Sequence, residues 1–395
     1  MKKVPELRFK EFNEEWKEEK LGDIGHFYKG KNISKEDLSN KGIECIRYGE
    51  LYTTYKEKID LVFNKTRLQL EKLFLSQKND ILIPSSGETA IDISTSSCIL
   101  KENVALGGDI TIIRTKNDGI FLAYYLNYLK KRDIAKLAQG ISIIHLYINH
   151  LKSLNLKLPS RKEQQKIALF LSSIDKKIEL TDKKLEFLEK YKKGLIQKLL
   201  TGKIRFPGFN DEWKNIKLYK ILKERKTYID NNKNLEHLSL TIDGILPKSK
   251  RYDRDFLVKD SNKKYKITYR NDICYNPANL KFGVICKNNY GEGIFSPIYV
   301  TFEVNNEFDP NFINYYITAK NFINKALRYQ EGTIYERMAV NPNDLLLINI
   351  KTPSLPEQQK IASFLSAIDK KIELIKSRLE NLKRYKKGLL QKMFV

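Results

Sequence analysis

The chain is written twice. Its only two tryptophans, Trp16 and Trp213, sit in matching phrases, LRFKEFNEEWKEEKL from Leu7 and IRFPGFNDEWKNIKL from Ile204. A second pair of phrases closes each half: PSRKEQQKIALFLSSIDKKIEL from Pro159 and PSLPEQQKIASFLSAIDKKIEL from Pro353. Two copies of a unit of about 195 residues restrict the chain to an architecture that does the same kind of job at two places.

The repeat continues more faintly inside each half. Asn79-Asp80-Ile81 answers Asn271-Asp272-Ile273, FLAYY at Phe121 answers FINYY at Phe312, and Gly140 answers Gly332. Strand-like runs are ILIP (81–84), ITIIR (110–114), IYVTF (298–302) and LLLINI (345–350), and amphipathic helical stretches lie near 120–138 and 311–329. The expected class is α+β: two similar mixed α/β globules, each followed by a long helix.

The helices can be counted. Positions 167, 171, 174, 178, 181, 185, 188, 192, 195 and 199 read Ile, Leu, Ile, Ile, Thr, Leu, Leu, Lys, Leu, Leu. The matching positions from 361 to 393 read Ile, Leu, Ile, Ile, Ile, Leu, Leu, Lys, Leu, Met. A 3.5-residue apolar period held over several heptads is a coiled-coil seam. Lys192 and Lys386 interrupt both seams at one heptad position, and their stems are expected to snorkel outward. Pro159, Pro353 and Pro356 are expected just before the helices. A helix of this size spans roughly 55 Å at 1.5 Å per residue. The second globule, with a radius of gyration near 15 Å, meets both helix ends most simply if the pair is antiparallel. The expected whole is an antiparallel two-helix rod, pseudo-two-fold, with a globule at each end. Its partition is a first globule at 1–157, a central helix at 158–200, a second globule at 201–350 and a C-terminal helix at 351–395.

The net charge is +24, spread along the whole length, and predicts a polyanionic partner, most simply nucleic acid. Cys45, Cys98, Cys274 and Cys286 have no metal spacing and read as reduced core thiols. No signal peptide opens the chain and no apolar run reaches a membrane span, so a cytoplasmic protein without a membrane partner is expected.

Enzyme motifs come up empty. There is no phosphate-binding G-x-x-x-x-G-K-[ST] loop, and Gly291-Glu292-Gly293 reads as an ordinary loop. Tyr275-Asn276-Pro277-Ala278 only faintly resembles an amino-methyltransferase Asn-Pro-Pro-Tyr loop. The E-x-K spacing around Trp16 and Trp213 fits burial of the tryptophan better than nuclease chemistry. His145 and His150 have no acidic partner at a catalytic spacing, and neither have His26 and His237.

Polar segments on an α/β frame carry the side chains that bond phosphates and base edges. In the first half the candidates are Lys29 and Lys31, Arg47 and Tyr48, Ser85, Ser86, Gly87 and Glu88, then Ser142, His145 and Tyr147. In the second half they are Lys248, Lys250, Arg251, Tyr252 and Arg254, then Asn276, Asn279 and Lys281, and finally Thr333, Tyr335 and Arg337. Gly87, Gly140 and Gly332 would let the loops approach a duplex closely.

These residues carry a family resemblance over essentially the whole length. The paired R-F-x-x-F-x-x-E-W openings and the two EQQKIA helices resemble conserved regions of the specificity subunit of type I restriction–modification enzymes. IRYGELY, ALGGDITII and GISIIHLY are similar to that family's target-recognition signatures. The resemblance implies two target recognition domains, each reading half of a split site in double-stranded DNA. It implies spacer helices that hold two modification (methyltransferase) subunits, with two restriction (endonuclease/translocase) subunits joining. It implies no catalysis and no cofactor in this chain, with S-adenosylmethionine, ATP and magnesium belonging to the partners. YNPANL replaces the first half's IPSSGE, so the halves are expected to read different bases. The rival readings are a self-contained DNA methyltransferase or nuclease and a structural coiled-coil adaptor.

Overall fold

In the computed structural model, residues 4–230, 235–250, 264–332 and 338–395 are described. The chain forms two units, Met1–Asp182 with Ser377–Val395, and Lys183–Lys376. The first unit contains β1 (Lys17–Lys20), β2 (Gly25–Lys29), β3 (Ile81–Pro84), β4 (Ser86–Gly87), β5 (Ser97–Ile99), β6 (Ile110–Thr115), helix α1 (Gly119–Tyr125), β7 (Ile144–His145) and β8 (Asn155–Leu158). The long helix α2 (Arg161–Leu199) follows. The second unit contains β9 (Lys214–Lys217), β10 (Leu222–Glu224), β11 (Ile273–Tyr275), β12 (Ile285–Lys287), β13 (Val300–Val304), helix α3 (Pro310–Ile317) and β14 (Asn349–Thr352), before helix α4 (Leu355–Met393).

The units share one topology. The sheet order β2-β6-β3-β5 of the first is repeated as β10-β13-β11-β12 in the second. In each, the opening strand pairs antiparallel with the closing one, Lys17 opposite Leu158 and Lys214 opposite Thr352. Each globule thus takes in the chain where it releases it into a long helix. Strands β3 and β11 are reached through a left-handed residue, Asn79 at φ 79° and Asn271 at φ 75°, a conformation that asparagine tolerates better than most. The next residue, Asp80 or Asp272, is buried. Burial pushes both carboxyls above the ordinary range, although an arginine bonds each. Arg114 Nε donates to Asp80 at 3.1 Å from β6, whereas Arg225, just past β10, donates to Asp272 at 3.1 Å.

The two matched phrases of the sequence lock onto each other. Arg8 donates twice to Glu163, at 2.8 Å each, and Arg205 donates to Glu357 at 2.9 and 2.7 Å. Gln164 accepts from Asp118 N at 2.9 Å and donates to Pro159 O at 3.0 Å; Gln358 does the same with Asp309 N and Pro353 O, at 3.0 and 2.9 Å. Asp118 and Asp309 in turn cap α1 and α3, accepting from Phe121 N and Phe312 N at 2.8 Å each. Trp16 and Trp213 lie edge-on to Phe121 and Phe312. Trp16 is buried and Trp213 half-buried, in line with an anchoring role.

Each unit is completed by a second helix segment. In the first, Ile167, Leu171 and Ile174 of α2 share a core with Leu389 and Met393 of α4. In the second, Leu188 of α2 packs with Ile368, Ile372 and Ile375 of α4. The segments run antiparallel within each unit: Asp175 meets Lys386 in one, and Glu189 and Lys192 meet Lys376 and Asp369 in the other. Among the described residues no helix is long and apolar enough to cross a membrane.

Several local expectations need correction. LLLINI is not one strand. Asn341 caps a short helix, Pro342–Leu346, and only Asn349–Thr352 is extended. Capping and the proline override the run's apolar β-like composition. The strand expected at 298–302 begins at Val300, and Ile298 is exposed. IRYGELYTTY contains a helical turn, Glu50–Thr53. Pro356 lies inside the first turn of α4, where a missing N–H is harmless. Lys192 and Lys386 do not snorkel outward. Lys386 Nζ reaches Asp175 at 2.7 Å and Lys192 pairs with Asp369. Cys45, Cys98 and Cys274 are buried thiols and Cys286 is half-buried, with no disulfide.

Candidate nucleic-acid interface

In the first unit three polar segments converge. β4 pairs antiparallel with β7, Ser86 opposite His145 and Gly87 opposite Ile144. Leu146 N donates to Ser85 O at 2.9 Å, while Gln139 and His145 exchange backbone bonds at 2.9 and 2.7 Å. The segments 84–88 and 139–147 are therefore one small ribbon. Gly87 is needed for close packing: a Cβ there would sit 2.6 Å from Ile93 and 3.6 Å from the Tyr52 hydroxyl. Tyr52 brings in the third segment, since its helical turn follows Arg47 and Tyr48. Burial and the neighbouring Tyr48 push the Tyr52 phenol upward, so it stays a neutral donor.

Glu50 organises that corner. It is buried, accepts from Asn64 Nδ2 at 2.6 Å and from Arg47 N at 3.1 Å, and lies 3.7 Å from Arg47 Nε. Lys31 joins from the other side: its backbone N donates to Leu106 O at 3.1 Å, and Gly107 N donates to Ile46 O at 2.8 Å. The Lys31 ammonium donates to Glu71 O at 2.9 Å. Lys29 is exposed at the end of β2.

The structure sorts the candidates of this unit. Lys29, Lys31, Tyr48, Glu88, Ser142, His145 and Tyr147 are exposed, and Arg47 is half-buried. Ser85, Ser86 and Gly87 are buried, and the Ser85 hydroxyl is bonded to Thr111 at 2.8 Å, so these three form the frame beneath the surface. His145 and His150 do not form a pair: Tyr147 stands between them, and His150 Nδ1 lies 3.2 Å from Leu137 O.

In the second unit Asn276 is buried and caps the turn Pro277–Phe282 by accepting from Ala278 N at 3.1 Å. Asn279 is half-buried and Lys281 exposed, its ammonium 5.0 Å above the Phe282 ring. Tyr275 donates to Val340 O at 3.0 Å, which ties this turn to the pair Gln330–Glu331 and Ala339–Val340. Lys248 follows the hairpin Leu238–Thr241 with Gly244–Pro247 and donates its N–H to His237 O at 2.7 Å. Arg251, Tyr252, Arg254, Thr333, Tyr335 and Arg337 lie outside the described residues, as does the side chain of Lys250. Gly140 and Gly332 both have positive φ, 132° and 148°, whereas Gly87 does not.

Sequence reasoning missed Glu50 and Tyr52, which support the surface from below, and a four-lysine cleft. Lys56, Lys131, Lys383 and Lys386 line a cavity of about 490 Å³ with Glu57 and Asp175. It also missed a triad that recurs in both units. Tyr124 donates to Asp175 at 2.5 Å beneath Lys386, and Tyr315 donates to Asp369 at 2.6 Å beneath Lys192. The aligned phrases FLAYY and FINYY, with the two IDKK phrases, held the signal for it. Among the described residues no three His, Cys, Asp or Glu side chains gather as metal ligands would.

Two copies of one mixed α/β unit, each with its own polar loop surface on a basic chain, define a duplicated recognition protein. A family model for the type I restriction modification DNA specificity domain matches residues 13–190 and 210–384, and the chain belongs to that family. Among similar proteins, the type I restriction enzyme MjaVIII specificity subunit of Methanocaldococcus jannaschii is 24% identical, over 98% of this chain and 94% of that protein. The putative MjaX specificity subunit of the same organism is 28% identical, over 70% of this chain and 67% of that one. The fold is similar to that of the type I restriction–modification S subunit of M. genitalium, with TM-score 0.64, 18% identity and 99% of each chain covered. It is also similar to a chain from a structure of type I system assembly, with TM-score 0.52, 14% identity and coverage of 97% and 98%.

Proposed function

We propose that this specificity subunit is a non-catalytic reader of a split duplex site, each unit reading one half. It directs adenine methylation and restriction carried out by partner subunits. The observation that carries this reading is the repetition, unit for unit, of one sheet order and one helix lock beneath loops of different sequence. A constant frame with variable loops suits two different half-sites. Two modification subunits and two restriction subunits are the partners, and S-adenosylmethionine, ATP and magnesium act in them. Exposed apolar residues repeat along the long helices and support paired docking. Leu180 and Leu374 are 55% and 69% exposed, and Tyr191 and Tyr385 are 46% and 52% exposed.

The test is an exchange of residues 1–157 for the matching part of a relative, with the methylated motif sequenced from cells carrying the modification subunit. One half of the motif should change and the other stay. A change in both halves with the chain still folded overturns independent reading. Methylation by the purified chain alone, given S-adenosylmethionine, would favour the self-contained enzyme.

A further inference from the structure

The ribbon of the first unit carries an apolar strip that points away from the protein. Leu146 is buried and Ile144 half-buried against the core, and exposed apolar and aromatic residues flank them. They are Ile141, Ile143, His145 and Tyr147, and Ile141 is 99% exposed and Ile143 58%. The tip is held in shape. Gln139 and His145 bond each other in both directions across its base. Gly140, at φ 132°, closes the turn where a Cβ would lie 2.1 Å from Ile143 O.

Two branched aliphatic side chains at the end of a two-stranded ribbon are too few for a protein interface, which needs roughly 800 Å² on each side. They match the thymine methyl, the only apolar group that the four bases present in the major groove, and that groove admits a two-stranded ribbon. Resting on the reading of the first unit as a DNA-recognition domain, the geometry points to Ile141 and Ile143 as readers of thymine 5-methyl groups in its half-site. Ser142, between them, and His145 supply polar contacts on the same edge. The strip makes this unit select thymine over cytosine by apolar contact as well as by hydrogen bonds.

Deoxyuridine differs from thymidine only by that methyl, so it isolates the contact. The full chain would be titrated against duplexes carrying the methylated motif, with each thymine of the first unit's half-site replaced in turn by deoxyuridine. Wild-type binding should weaken about fourfold at one or two of these positions, the loss expected for one buried methyl. The variant I141S/I143S, at exposed sites and with an unchanged melting temperature, should bind thymine and uracil duplexes alike. Its affinity for the uracil duplex should equal that of the wild type. Indifference of the wild type to every replacement overturns the inference, as does an undiminished thymine preference in the variant or a half-site without thymine on either strand. A chain that binds matched and scrambled duplexes equally overturns the recognition reading itself.

Discussion

Lys386 reaches across from one long helix to Asp175 on the other, Nζ to Oδ1 at 2.7 Å, and Lys192 makes the same ion pair with Asp369 in the second unit. Each aspartate also accepts from a tyrosine of its globule, so one carboxylate ties together two helices and a domain. A lysine in an apolar seam costs stability but specifies register when it has one correct partner. Replacing Lys386 by Met should leave Asp175 without its cation while Tyr124 still donates. Both groups are partly exposed, so the loss should be about 1–2 kcal/mol. Urea unfolding of the variant and of the exchanged pair K386D/D175K measures it. A charge exchange that recovers none of the loss would show that the pair does not set register.

Alkali should destabilise the first unit through its buried phenols. Burial pushes Tyr125 up to about 12 and holds Tyr124 higher still, its hydrogen-bonded Asp175 adding to the effect. An unfolded phenol ionises near 10. The stability from keeping these phenols neutral is complete below about pH 10 and falls away between about pH 10 and 12. The slope is about 1.4 kcal/mol per pH unit for each phenol. Denaturant midpoints across that range, compared between wild type and Y125F, test the sign: the phenylalanine variant should fall less steeply.

DNA affinity should drop steeply with salt, since each phosphate neutralised releases counterions, with a log–log slope of about −0.9 per contact. Lys29 and Lys281 are exposed lysines on the two candidate surfaces. Alanine at either should lower the slope by about 1 if the residue touches phosphate, equally for matched and mismatched duplexes. Discrimination that falls by about 1–3 kcal/mol would mark a base contact instead. An unchanged slope and unchanged discrimination would remove the residue from the interface.

Gly140→Val should spoil recognition in one half only. The side chain would collide with Ile143 O and would have to hold φ near 132°. Strain of that kind costs about 1–3 kcal/mol and is relieved by deforming the ribbon. The methylated motif should loosen in the half read by the first unit and keep its other half. Loosening in both halves would mean that the ribbon acts on the whole chain.

The segments around Leu7 and Lys392 already meet. Leu7 N donates to Lys392 O at 2.8 Å in the first unit, and Ile204 N donates to Lys198 O at 3.3 Å at the matching place in the second, where the chain is continuous. A permuted chain that opens at Lys203 and joins Val395 to the original start through a short peptide should fold with the same melting temperature and motif. Loss of folding would show that the continuous junction at 199–205 contributes more than the hydrogen bond that the two places share.

The repeat, the tryptophan anchors and the apolar seams were legible because they are local patterns. A heptad spacing states which face of a helix is buried whatever covers it, and Ile167, Leu171, Ile361 and Leu365 are indeed buried. Three-dimensional packing decided what a pattern leaves open. The seam lysines looked like breaks until aspartates 211 and 177 residues away in the chain were seen to meet them, since 386 − 175 = 211 and 369 − 192 = 177. Asp80 and Asp272 occupy one place in the repeat, yet take arginines from different places, because Glu303 follows the strand partner of Ile273 where Arg114 follows that of Ile81. Ser85 and Ser86 read as contacts from their residue type, but strand pairing turned them inward, while Ile141 and Ile143, of a residue type that prefers the core, are turned out. Residue type reports what a side chain prefers. Which way it faces depends on backbone bonds made by distant residues, and those exist only in the folded chain.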